Sequence, residues 1–309
     1  VYEGFPIRYW DKWLTDQQTH LFVQSLEPGA KAKDILAGSS LVKQKGFAGR
    51  MADTGEEMDA VWTPEGDAIV FAATTEKDQS AYASVSTYLY KVSLKNGEPV
   101  QLTKDKGTHS KLKFSPDGKA LYSVFTPETN KAYNLSRLAK FDWPAVGAAK
   151  IITVSFDRSV SSFAITPDSK LIYLTAENGG YEYLYSLLDN GTIKEVFGGK
   201  GVITNISIPA KTTSVLLIAN WENAITPQEI YRITLNDNAL NETGKRILQG
   251  VMNRLSAFNQ DRLSMIDWQP LREFTFTSKR GKPIHNFLAL PPNFDENKKY
   301  PLFPLNIDP

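Results

Sequence analysis

Trp62-Thr63-Pro64-Glu65-Gly66, leading into Ile69-Val70-Phe71, is the stretch on which the fold turns. It returns as Phe114-Ser115-Pro116-Asp117-Gly118 ahead of Leu121-Tyr122-Ser123-Val124. It returns again as Ile165-Thr166-Pro167-Asp168-Ser169 ahead of Leu171-Ile172-Tyr173-Leu174. The three prolines lie 52 and then 51 residues apart, and a weaker copy, Ile208-Pro209-Ala210-Lys211 before Val215 to Ile218, follows 42 residues on. Proline presets φ for a turn, and Asp-Gly or its stand-in accepts the positive φ at the corner, so each copy predicts a β-hairpin.

Outward from each hairpin the pattern continues. A second alternating strand follows at Tyr88-Leu89-Tyr90-Lys91-Val92, Tyr183 to Leu187 and Ile230 to Ile233, with Asn-Gly turns at Asn96-Gly97 and Asn190-Gly191. Short closing strands are expected at Val100 to Leu102, Ile151-Ile152, Ile193 to Phe197 and Ile247-Leu248. Four short strands repeated every 40 to 50 residues are the pattern of propeller blades. A sandwich need not repeat one hairpin at near-constant spacing. The predicted fold is therefore all-β, a β-propeller, with whole blades near 58–103, 109–153, 160–197 and 203–248. Parts of another are expected between Pro6 and Leu36, with His20-Leu21-Phe22-Val23 as its best strand.

After residue 250 the repeat stops. Phe274 to Ser278, a turn at Lys279-Arg280-Gly281-Lys282 and Ile284 to Leu290 predict a hairpin with no blade behind it, closed by Pro291-Pro292. The expected organisation is a propeller over residues 1–268, incomplete on its N-terminal side, followed by a different domain that begins at 269 and runs to 309.

Composition narrows the function classes. The 309 residues carry 35 basic and 34 acidic side chains with no basic block, which argues against nucleic acid as a partner. No run of 18 apolar residues spans a membrane. Cysteine is absent, so disulfides, thiolate ligands and a cysteine nucleophile are excluded while the compartment stays open. Val1 to Trp10 lacks the basic start and apolar stretch of a signal peptide and reads as the middle of a fold.

Two places resemble a known family. Arg8-Tyr9-Trp10-Asp11-Lys12-Trp13-Leu14 with His20 to Val23 resembles a mid-propeller stretch of prolyl-oligopeptidase-family serine peptidases of the acylaminoacyl- and dipeptidyl-peptidase type. Asn253 to Leu263, Phe274 to Ser278, Gly281-Lys282-Pro283-Ile284, Leu288 to Pro292 and Lys298 to Phe303 resemble that family's crossing from propeller to catalytic domain. With the blades, the resemblance covers essentially the whole chain. It implies a two-domain serine peptidase of short peptides in which about seven blades cap and gate the active site. It also implies that residues 269–309 are the first strands of a truncated α/β-hydrolase domain, with a strand at Lys-Tyr-Pro-Leu. Its bacterial setting would be periplasmic or cytoplasmic. Where the family continues into His-Gly-Gly-Pro, this chain reads Pro304-Leu305-Asn306-Ile307-Asp308-Pro309.

No catalytic residue is assigned. Acyl transfer needs a Gly-x-Ser-x-Gly elbow with Asp and His partners, and the sequence contains no such elbow. Gly38-Ser39-Ser40 has the wrong spacing and reads as loop. His20 is expected to make a structural hydrogen bond or face solvent, His109 to lie in a loop at a blade entrance, and His285 to pack on a strand. The three are too far apart to suggest zinc, and no metal or cofactor is expected. Glu56-Glu57 could pair around a substrate amino group, but reads better as a solvated loop. Gly198-Gly199-Lys200-Gly201 lacks the strand-to-helix setting of a phosphate loop and reads as an inter-blade turn. The rival function is a non-enzymatic, TolB-like binding or scaffold propeller, which has no use for the Phe274 to Phe303 segment. The count of four to five blades further predicts open blade faces and self-association through them.

Overall fold

The computed structural model describes residues 17–52, 55–81, 83–95, 97–129, 131, 134–210, 216–240 and 246–305. Arg8 to Leu14, Asn96, Lys211, Val215 and Asn306 to Pro309, named above, lie outside them. The chain forms two compact units, Val1–Val160 and Ser161–Pro309.

The first unit opens with two short antiparallel pairs, β1 (Phe22–Val23) with β2 (Lys33–Asp34) and β3 (Arg50–Ala52) with β4 (Gly55–Glu57). Two four-stranded antiparallel blades follow. One is β5 (Ala60–Trp62), β6 (Ala68–Ala73), β7 (Tyr88–Ser93) and β8 (Val100–Gln101); the other is β9 (Gly107–Phe114), β10 (Ala120–Pro127), β11 (Arg137–Asp142) and β12 (Lys150–Ile151). All six residues of β6 are buried, because both of its faces are covered. Ile69, Phe71 and Ala73 pack with Ile35, Leu36, Leu41 and Phe47, while Val70 and Ala72 pack with Leu112, Leu121, Phe125 and Phe141 of the next blade. Successive strand residues point to opposite faces, so a strand between two layers must be apolar throughout, as Ala-Ile-Val-Phe-Ala-Ala is. Each large side chain buried this way stabilises the unit by about 1.5–3 kcal/mol.

The second unit repeats the plan in β13 (Ser162–Ile165), β14 (Leu171–Asn178), β15 (Tyr181–Leu188) and β16 (Ile193–Phe197), then in β17 (Val202–Ser207), β18 (Leu216–Asn223), β19 (Thr226–Leu240) and β20 (Arg246–Arg254). Ala164, Tyr173, Leu184 and Val196 of the first of these blades meet Ile203, Leu217 and Ile233 of the second. A short helix, α1 (Gln260–Leu263), and the hairpin β21 (Arg272–Thr277) with β22 (Pro283–Leu288) complete the unit. The four predicted blades are present, and the fold is that of a β-propeller. The last blade ends at Arg254, where Leu248 was expected. Its closing strand runs on because the ladder continues along β19 back to Tyr231, which lies opposite Arg254.

The repeated turns share one geometry. The amides of Thr63, Ser115 and Thr166 donate to the carbonyls of Ala68, Ala120 and Leu171, and those of Gly66, Gly118 and Ser169 donate back to Thr63, Ser115 and Thr166. The corner residues Gly66, Gly118 and Ser169 take φ of 72°, 71° and 61°. In the second and third copies the hydroxyl donates to an aspartate, Ser115 to Asp117 and Thr166 to Asp168, each at 2.6 Å. The same hydroxyls accept the amides of Ala120 and Leu171, each at 3.0 Å. Tyr300 to Phe303, expected as a strand, joins no ladder among the described residues. Pro301 offers no amide, and no described strand lies in register beside it.

Candidate functional site

The most convergent polar cluster gathers where the chain leaves its last blade. Glu229, in β19 and 1% exposed, accepts from the Ser256 hydroxyl, from the Phe258 amide at 3.1 Å and from the Asn259 amide at 2.8 Å. The Ser256 bond first, and the two amides after it, hold this carboxyl below its ordinary pKa. One buried carboxylate thus fixes residues 256–259 and sets the direction in which the chain departs.

The hairpin that follows is held by a second carboxylate. Glu273 Oε1 receives the Lys200 ammonium at 2.8 Å and the Tyr181 hydroxyl at 2.8 Å, and Oε2 lies 3.2 Å from His285 Nε2. Lys200, and then Tyr181, pull the Glu273 carboxyl down to about 2. Burial, reinforced by the bond to Glu273, pushes the Tyr181 hydroxyl up to about 12. The site comes from three local structures. Gly179-Gly180 forms a two-residue turn between β14 and β15 with φ of 63° and 83°, which only glycine adopts easily at both positions. A Cβ on Gly180 would stand 2.5 Å from the Phe287 ring, so the missing side chain makes the seat for that ring. Phe287 meets Tyr181 edge-on with centroids 5.4 Å apart.

Strand alternation divides the hairpin into two unlike faces. Glu273, His285 and Phe287 share the face turned to the Tyr181 turn. Phe274, Phe276 and Ile284 share the other, with the phenylalanines 48% and 50% exposed. The face against the blade carries Glu273 and His285 with the Phe287 ring, and the other carries most of the hairpin's apolar residues.

The other singled-out residues fall elsewhere. His20 Nδ1 is 2.6 Å from Asp34 Oδ2, a structural bond ahead of β1. His109 corrects the expected loop: it lies in β9 and is wholly buried. Its Nδ1 bonds to Ser123 Oγ at 2.9 Å, its Nε2 has no hydrogen-bond partner among the described residues, and burial pushes it down to about 4. Phe125 and Phe141 enclose its ring, which is why a polar residue sits inside a blade. Glu56 and Glu57 also depart from the loop reading, since both lie in β4 and neighbouring strand residues diverge. Glu56 accepts the Gly49 amide at 2.8 Å and the Thr19 amide at 3.1 Å and faces Lys77, while Glu57 pairs with Arg50. Both carboxylates are engaged within the unit. Ser40 bonds to Glu98 in a loop. Gly198 to Gly201 links β16 to β17 as an inter-blade turn, and there Lys200 reaches Glu273. The sequence reading singled out neither Glu229, Tyr181 nor Glu273; the Asn178-Gly179-Gly180-Tyr181 run was the one signal that could have flagged this turn.

No protein-family model matches the chain. Among curated proteins it is 24% identical over 299 residues to dipeptidyl-peptidase 5 of Porphyromonas gingivalis, covering 95% of this chain and 40% of that protein. It is 24% identical over 314 residues to dipeptidyl-peptidase 5 of Schizosaccharomyces pombe, covering 98% of this chain and 42% of that protein. Among solved structures, the acylaminoacyl peptidase of Pyrococcus horikoshii superposes with a TM-score of 0.53 at 21% identity, covering 74% of this chain and 32% of that one. The chain is thus similar in sequence to dipeptidyl-peptidases 5 and in fold to the acylaminoacyl peptidase, and it spans about two fifths of the length of the curated relatives it matches.

Proposed function

We propose that this chain is the substrate-gating propeller portion of a serine peptidase that removes dipeptides from short peptides. The carrying observation is the similarity to dipeptidyl-peptidases 5 over 95% of the chain. In this reading the propeller excludes folded proteins from a catalytic site that the chain itself does not contain, a size filter made by geometry. Residues 269–309 are the first strands of the catalytic domain. The outward apolar face of Phe274, Phe276 and Ile284 supports that boundary, since such a face ordinarily packs against a further layer. Short peptides are the substrates of the whole protein, and the chain alone is inactive.

Two assays test the reading. The chain alone should hydrolyse no dipeptidyl chromogenic substrate and take up no fluorophosphonate; stoichiometric labelling of a serine would overturn its inactivity. The natural gene product that contains this sequence should release dipeptides from short peptides and refuse a folded protein. A product that hydrolyses nothing and binds other proteins would favour the TolB-like module instead.

A further inference from the structure

We infer that Glu273 is a conformational latch, which holds the β21–β22 hairpin on the Gly179-Gly180 turn and whose opening frees the hairpin as a unit. An isolated two-stranded hairpin is marginal in water, so its order has to come from what it rests on. Every residue of β21 is exposed, and on the apolar face of the hairpin Phe274, Phe276 and Ile284 are 48%, 50% and 39% exposed, too open to anchor it. What remains is the opposite face. There the Glu273 carboxylate, which within the hairpin also meets His285 of β22, ties the hairpin to two elements: the start of β15 through Tyr181 and the inter-blade turn through Lys200. Phe287 adds one ring in the seat left by Gly180.

The hinge lies on the N-terminal side of the hairpin. Glu229 fixes residues 256–259, and the chain from Met265 to Leu271 forms neither helix nor strand before β21 begins. Swinging about that stretch would cost the Lys200 and Tyr181 contacts of Glu273 and the Phe287 seat, while the bond to His285, internal to the hairpin, and the blade ladders stay intact. The device is independent of the proposed activity, since it needs only the elements of this unit.

Amide hydrogen exchange on the chain tests it. Glu273→Gln and Lys200→Met should each speed exchange of the β21–β22 ladder amides tenfold or more, with β14 and β15 unchanged. Tyr181→Phe should give a smaller acceleration, because the ring contact with Phe287 survives. Glu296→Gln, which removes an exposed partner of Arg272 at 3.7 Å, should change nothing and serves as control. Unchanged hairpin exchange in Glu273→Gln would overturn the latch. Equal acceleration through β14, β15 and the hairpin would also overturn it, since Glu273 would then be stabilising the unit as a whole.

Discussion

β6 and β21 are both six-residue antiparallel strands, and their surroundings could hardly differ more. Ala68–Ala73 is apolar at every position and buried at every position; Arg272–Thr277 alternates polar and apolar residues only from Glu273 onward and is exposed at every position. In the blade, two neighbouring layers demand apolar side chains on both faces. In the hairpin, Phe274, Phe276 and Ile284 share one face and remain half exposed, while the opposite face, with Glu273, His285 and Phe287, meets the blade. Sequence pattern states which face a strand can bury, and the structure then shows whether the unit supplies the covering layer.

That contrast gives its largest expected effect at paired phenylalanines. Phe71→Ala, which empties a filled site between two layers, should cost about 3–5 kcal/mol in denaturant unfolding. Phe276→Ala should cost less than about 0.5 kcal/mol, as a change at the surface. A comparable loss at Phe276 would mean the outward face is covered in solution, and sedimentation at micromolar concentration would then reveal association through it.

The histidines sharpen the same comparison, because His109 is sealed inside a blade while His285 lies on the open hairpin. His109 is held at about 4 against an ordinary 6.5, so the unfolded chain takes up this proton first as pH falls. Stability from keeping this ring neutral is full above pH 6.5 and drains away toward pH 4, by about 3 kcal/mol. Unfolding free energies measured between pH 7 and 5 should show this slope, and His109→Gln should flatten it. A variant with the wild-type slope would assign the loss to other groups.

Smaller effects test the turn and the boundary. Ser115→Ala removes the bonds to Asp117 and to the Ala120 amide and should cost about 1 kcal/mol, read as a shifted denaturant midpoint. Removal of residues 270–309 should leave the β circular dichroism and the unfolding midpoint of the blades nearly unmoved. Cooperative loss of the whole β signal would show that the hairpin holds the blades together, against the contrast drawn between them.

Much of the fold was legible because its cause is local. The Thr/Ser-Pro-Asp turns announce themselves through φ preferences of two or three residues, and runs such as Ala68–Ala73 through apolar continuity. The end of the last blade was misplaced because the reach of β20 depends on its register against Tyr231 to Ile233, which periodicity does not encode. The exit site was largely invisible. Tyr181 and Glu273 meet across 92 positions, and no spacing rule links a tyrosine after a Gly-Gly turn to a glutamate in a later strand. His109 misled for a related reason, since a polar residue reads as loop until its Ser123 partner and aromatic cage are seen.

The self-closing turns bear on how the molecule comes into being. Ser115 and Thr166 each close their own corner on an amide and a carbonyl only five positions ahead, so a blade's central register needs nothing from distant sequence. Contacts this short form early and cheaply, because little chain entropy is lost in closing them. On the ribosome, each repeat can therefore set its innermost strands before the next has been synthesised, and the layers then stack in the order of translation. Chains arrested after the second repeat should already protect the Ser115 hairpin from protease, whereas protection arriving only with the final blade would mean the layers assemble all at once.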